Sequence, residues 1–267
     1  MKNLIISLGL VMSAYLFTGC EKSLDTYEGG NGIYFDPWYE EAEILNDTID
    51  VHWGLKKSDI TGQKLILNVK LFGNTAPVDR KFSIRVETDP EDENAAKDGV
   101  DYIMPPLEYV IAAGKAETPI EIEVLRRPGL KDSPRRFRIS LVESDELKFH
   151  FSRAIGYKDV TGETVTRPID LQRVIRIDES FPMPIWWDYR GQPYFGTWSQ
   201  TKAALICDVM EIEREDWVDK AKLSAGYLKF CGAFMKRWLD EQNAKDPDNP
   251  ILDEDGEPMK MGVESDR

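Results

Sequence analysis

"TPIEIEVLRR", residues 118–127, carries the pattern on which the fold turns. Ile120, Ile122 and Val124 point to one side of an extended chain, and Glu121 and Glu123 to the other. That is the signature of a strand with one face in a core and one in water. The same alternation runs outward through "KLILNVKLFG" (64–73), "KFSIRVET" (81–88), "RRFRISLVES" (135–144) and "QRVIRIDES" (172–180). Turns rich in Pro, Gly and Asp separate these runs. The pattern therefore predicts an antiparallel sandwich over residues 33–178, with 172–180 closing a sheet, rather than a βαβ fold.

The composition changes at Phe181. "FPMPIWWDYRGQPYFGTWS" (181–199) places seven aromatic residues ahead of a helix whose cap is Ser199 and whose apolar residues are Leu205, Ile206, Val209 and Met210. A longer amphipathic helix is expected in 216–242, with Leu223, Tyr227, Phe230, Phe234 and Trp238 on one apolar face. A turn is expected at Asp255-Gly256 in the tail. The fold class is thus α+β: an Ig-like antiparallel β-sandwich followed by a smaller, aromatic-rich α-helical C-terminal domain over 179–267.

The stretch 97–127, "KDGVDYIMPPLEYVIAAGKAETPIEIEVLRR", together with "RRFRISLVES", resembles a Calx-β-type immunoglobulin-like sandwich. The likeness rests on the Gly99-x-Asp101-Tyr102 step, the Gly114 turn, and the alternating Phe137, Ile139 and Leu141. It speaks to fold more than to function. It implies a candidate Ca²⁺ site in an acidic loop, because hard cations want clustered carboxylate oxygens. Asp89, Glu91, Asp92 and Glu93 form such a loop, with Asp98 and Asp101 close in sequence, and Asp253, Glu254 and Asp255 make a second cluster. Neither has EF-hand spacing, and the competing reading is a solvated acidic turn. No other cofactor is expected.

At the other end, "LFTGCEKS" (16–23) follows Lys2 and an apolar run, Leu4 to Phe17, too short to span a bilayer. It resembles a bacterial lipobox, with Phe17 where Leu is usual. The expectation is a lipoprotein signal over 1–19, a lipidated Cys20 and a flexible tether over 20–32 containing Gly29, Gly30 and Gly32. Lipobox, sandwich, "WW…GTWS", two helices and "DEDGEPM" together resemble an uncharacterised Bacteroidetes family of envelope lipoproteins, a domain of unknown function. Its members are commonly encoded beside outer-membrane nutrient-import systems. The resemblance implies an outer-membrane lipoprotein, facing the periplasm or the cell surface, and transfers no catalytic residue.

A net charge of −14, from 34 Lys and Arg against 48 Asp and Glu, argues against nucleic acid as a partner and against electrostatic adhesion to anionic lipid. With Cys20 lipidated, Cys207 and Cys231 remain. They are read either as a disulfide or as small apolar residues on neighbouring helices. The chain has two histidines, His52 and His150, and no GxSxG, so nucleophilic catalysis has little to build on. Abundant carboxylates leave a glycoside hydrolase as a third reading without geometry to support it.

The best binding lead is the aromatic segment. Trp186, Trp187, Tyr189, Tyr194 and Trp198 could stack on sugar rings, with Asp188, Arg190 and Gln192 supplying hydrogen bonds. The rival reading is that these rings pack the small domain. The expected function is non-enzymatic: an accessory glycan- or nutrient-binding component of an outer-membrane uptake system. The alternative is a structural or protein-partner module of a transporter complex with no small ligand.

Overall fold

The computed structural model describes residues 29–36, 38–40, 44–150, 154–158 and 164–265. The leader, Cys20 and most of the tether lie outside the described residues. The alternating runs pair as their patterns require. β5 (Gly62–Phe72) and β9 (Glu117–Leu125) run antiparallel with Leu67 opposite Ile120 and Leu65 opposite Ile122. β1 (Gly32–Phe35) flanks β5, and β7 (Tyr102–Ile103) flanks β9, giving a first sheet of order β1-β5-β9-β7.

The second sheet has the order β4-β13-β10-β6-β8. It is built from β4 (Thr48–His52), β6 (Arg80–Glu87), β8 (Glu108–Ile111), β10 (Arg135–Val142) and β13 (Gln172–Asp178). The inward positions of both sheets, among them Val69, Ile120, Ile122, Ile139, Ile175 and Ile177, form one core without solvent contact. At about 25 cal/mol per Å² of apolar area, this burial is the main term favouring the sandwich. Two further hairpins, β2 (Trp38–Glu40) with β3 (Ile44–Asn46) and β11 (Ala154–Lys158) with β12 (Thr164–Pro168), stand outside the two sheets and carry no clear alternation in sequence.

One pairing departs from the antiparallel expectation: β4 lies parallel to β13. The chain begins in the first sheet as β1 and crosses to the second as β4. Both β4 and β13 then lead toward the helical domain, so they must run in the same direction.

The Gly-x-Asp-Tyr step proves structural. Asp101 is 1% exposed, accepts the Lys97 N–H at 2.8 Å and meets the Arg127 guanidinium at 2.5 Å, while Tyr102 stacks on Phe137 with ring centres 4.3 Å apart. The glycines at the end of the expected tether are also structural. A Cβ at Gly30 would fall 2.3 Å from the His150 ring, and one at Gly32 would fall 2.2 Å from the Lys148 carbonyl. These glycines let the chain pass under the 148–150 segment, so residues 30–32 are packed rather than a free spacer.

After β13 the chain becomes helical. A π-helical turn over Trp187–Gly191 runs into α1 (Gln192–Phe195), followed by α2 (Gln200–Met210), α3 (Arg214–Val218) and α4 (Ala225–Lys245). Ser199 caps α2 by accepting the Lys202 N–H at 2.9 Å, as its sequence position predicts. The expected apolar face of the long helix is the flank of its buried stripe: Leu223 is buried, and Tyr227, Phe234 and Trp238 pack against the helical core. Leu228, Cys231, Gly232, Met235 and Leu239 are the buried stripe, whereas Phe230 is 52% exposed and Tyr227, Phe234 and Trp238 are half-buried. Both sets fit helical periodicity, and packing against the Trp186–Trp217 cluster chose the adjacent stripe.

The seam between sandwich and helices combines Leu55, packed on the helical core, with polar contacts. Lys56 pairs with Glu215 at 2.6 Å, Lys57 with Glu213 at 3.0 Å, and Arg214 donates to the Gly54 carbonyl at 2.9 Å.

Candidate functional site

Trp186 and Trp187 do not form a sugar platform. They are 0% and 1% exposed, and they pack with Phe195 and Trp217 in the helical core. Trp186 meets Trp217 edge-on at 5.1 Å and donates to its carbonyl at 3.1 Å, and Trp187 meets Trp198 edge-on at 4.7 Å. A domain with few helices must bury large rings to gain enough apolar area, and these indoles fill that role. The remaining residues of the segment scatter. Asp188 and Tyr189 are exposed, Tyr194 and Trp198 are half-buried, and Arg190 donates to the Leu223 carbonyl at 2.9 Å.

The acidic loop is corrected as well. Asp92 is held by Arg136 at 2.5 Å and by the Asn94 N–H, and that guanidinium lowers its carboxyl below the usual range. The Asp89 carboxylate accepts the Glu91 N–H at 3.0 Å. Asp89, Glu91, Asp92 and Glu93 do not converge, and among the described residues no three His, Cys, Asp or Glu side chains gather as metal ligands. Turn capping and a cross-strand arginine consume the charges that a cation would need.

The fold does assemble one constellation that spacing alone concealed. The parallel β4–β13 register sets His52 opposite Asp178, and Ser180 folds back onto both. His52 Nδ1 lies 2.8 Å from Asp178 Oδ1 and 2.9 Å from Ser180 Oγ, and Ser180 Oγ donates to Asp178 Oδ1 at 2.6 Å. Burial pushes the Asp178 carboxyl up, but the hydrogen bonds from His52, the Ser180 hydroxyl and the Ser180 N–H outweigh it and hold the group below the ordinary carboxylate value. A nucleophilic relay needs the serine and the carboxylate on opposite ring nitrogens. Here both sit on Nδ1, so the cluster ties two strand ends together and does not activate the hydroxyl. His150 is engaged elsewhere, with Nε2 2.9 Å from the Asn31 carbonyl.

The two helical cysteines are free and buried, which favours the apolar reading over a bridge. Burial pushes the Cys207 thiol up to about 12 and the Cys231 thiol up to about 11, so neither is a nucleophile at neutral pH.

A cleft of about 680 Å³ lies between Gln192–Thr197 and the 253–264 loop. The loop is fastened by Gly262 N–H to the Tyr194 carbonyl at 2.8 Å and by Glu264 N–H to the Pro193 carbonyl at 2.9 Å. Any side chain at Gly262 would strike the Pro193 carbonyl, since its Cβ would lie 2.3 Å away. At the base, Lys202 is 3% exposed, donates to the Thr197 carbonyl at 2.9 Å and pairs with Asp253 at 3.1 Å. Ser199 also donates to Asp253. Burial raises the Asp253 carboxyl, but Ser199, the Glu254 N–H and Lys202 prevail and leave it lowered. Asp253, Asp255, Glu257 and Glu264 against Lys202 and Lys260 leave the lining two charges negative. The cleft's volume falls in the range of small-ligand sites, but it is open and its lining residues are mainly polar and charged. Sequence reasoning singled out Asp253 and Asp255 only as a cation cluster. It missed Lys202 because a lysine inside a helix reads as surface.

The model of the family described as Domain of unknown function (DUF4843) matches residues 27–212. The chain belongs to that family. The match takes in the sandwich, the aromatic segment and α2, and it ends before the loop that closes the cleft. No curated protein sequence matches the chain. Among solved structures, the chain is similar to the apo Calx CBD1 domain, at 14% identity and TM-score 0.35, covering 56% of this chain and 99% of that one. It is also similar to a "putative carbohydrate binding protein" from Bacteroides ovatus, at 9% identity and TM-score 0.35, covering 58% of this chain and 38% of that one. A Bacteroides ovatus protein of unknown function is similar at 15% identity and TM-score 0.34, covering 54% of this chain and 43% of that one.

Proposed function

We propose that the protein is a lipid-anchored, non-catalytic envelope component that binds a neutral glycan or similar polyhydroxylated nutrient in the cleft over Lys202 and Asp253, beside an outer-membrane uptake complex. The cleft carries the reading. Exposed Asp255, Glu257 and Lys260 offer acceptors and a donor to a polyol above the buried Lys202–Asp253 pair, and the net negative lining disfavours acidic sugars. Anchoring rests on the "LFTGC" leader and on Cys20. Among the described residues no helix is long and apolar enough to cross a membrane.

Two measurements test this. Cys20→Ala should move the chain from the membrane fraction to the soluble fraction, and retention of acylated protein would end the anchoring claim. On a glycan array, Asp255→Ala and Lys260→Ala, both at exposed cleft positions, should lose binding while the urea midpoint stays unchanged. Binding that survives both changes would remove the cleft from consideration. The alternative, a partner module without a small ligand, draws on an apolar groove at the face of the first sheet.

A further inference from the structure

We propose that the outer face of the β1-β5-β9-β7 sheet, beside the turn after β7, docks an extended segment of a partner protein that carries both apolar and basic side chains. Strand alternation demands polar residues on a water-facing side. This face breaks the rule at two register positions: Ile66, 61% exposed, stands opposite Glu121, and exposed Ile103 stands opposite Glu123. Beside them, Met104, Pro106 and Pro119 wall a groove of about 430 Å³. Core packing explains none of these apolar groups, because their side chains point away from the core. Clustered exposed apolar surface with a charged margin is what interaction sites present.

Charge selects the occupant. Lys64 pairs with Glu121 at 3.0 Å, while Glu123 forms no ion pair among the described residues. The groove is therefore short of cations, and a lysine- or arginine-bearing segment completes it. A second copy docking through the same groove would set its own Glu121 and Glu123 against this pair, with Lys64 as the groove's one cation among the described residues.

The groove's shape selects an extended conformation. Among the described residues β7 covers only Glu123 and Val124 of the nine-residue β9, so the groove follows the uncovered length of that strand. Pro119 removes one main-chain donor there, which blunts simple strand addition and leaves recognition to side chains.

The test uses the full chain and two capped nine-residue peptides, one repeating lysine, valine and proline, the other with glutamate in place of lysine. The lysine peptide should bind saturably, at least about tenfold more tightly than its glutamate counterpart, and weaken as salt rises. Methyl resonances of Ile66, Ile103 and Met104 should shift while those of the helical domain stay fixed. The double substitution Glu121→Lys and Glu123→Lys should reverse the preference, and Ile66→Thr with Ile103→Thr should abolish binding with folding intact. Equal affinity for both peptides, or binding indifferent to these variants, overturns the proposal. So does sedimentation showing this face buried in a homodimer.

Discussion

Asp101 shows what a single buried carboxylate contributes. It joins the Lys97 main chain to Arg127 across the mouth of the sandwich, so Asp101→Ala strands a guanidinium that is itself largely covered. A loss of about 2–3 kcal/mol in urea unfolding is expected, and a change below the error of the measurement would contradict a structural role. The cysteines provide a second residue-scale expectation. With thiols raised to about 12 and about 11, Cys207 and Cys231 should resist iodoacetamide at pH 8 in the folded Cys20→Ala chain. Both should alkylate promptly in urea, with the two states compared by intact mass. The sequence marked Asp101 through its Gly-x-Asp-Tyr setting, but Arg127, its partner, looked like the polar end of a strand. Only the fold brings these residues, 26 positions apart, within hydrogen-bond reach.

At the scale of elements, α4 separates periodicity from packing. Its aromatic residues and its buried stripe both recur at helical spacing, and the larger side chains take the half-buried flank while smaller ones go deepest. Met235→Ala should cost about 2–5 kcal/mol by opening a cavity, whereas Phe230→Ser, at a half-open position, should cost less than about 1 kcal/mol. Reversal of that order would restore the aromatic face as the core. The strands were more legible because alternation leaves one solution for which side turns inward. A helix with apolar residues around more than half its girth leaves several, and the neighbour decides.

For the molecule as a whole, acid is the informative perturbant. The Asp92, Asp178 and Asp253 carboxyls are all lowered from the ordinary carboxylate value in the folded chain, each held by hydrogen bonds or cations that unfolding removes. A lowered folded value means that the stabilisation is complete above the unfolded carboxylate value and disappears as pH falls through the folded one. The urea midpoint should therefore stay nearly level from pH 7 to about 5 and drop steeply below about 4. Asp178→Asn should flatten part of that drop, and a profile unchanged by the substitution would count against the His52–Asp178–Ser180 tie. The sequence by itself determined the two-sheet sandwich, the change to helices after Asp178 and the Ser199 cap. Each follows from local periodicity or from a single side chain meeting its own backbone. Tertiary structure decided between the two readings of the aromatic segment by burying Trp186 and Trp187, and it alone decided that Lys202 and Asp253 share a cleft and that His52 reaches Asp178. Such contacts join residues tens to over a hundred positions apart, and their energies exist only once the chain has closed on itself.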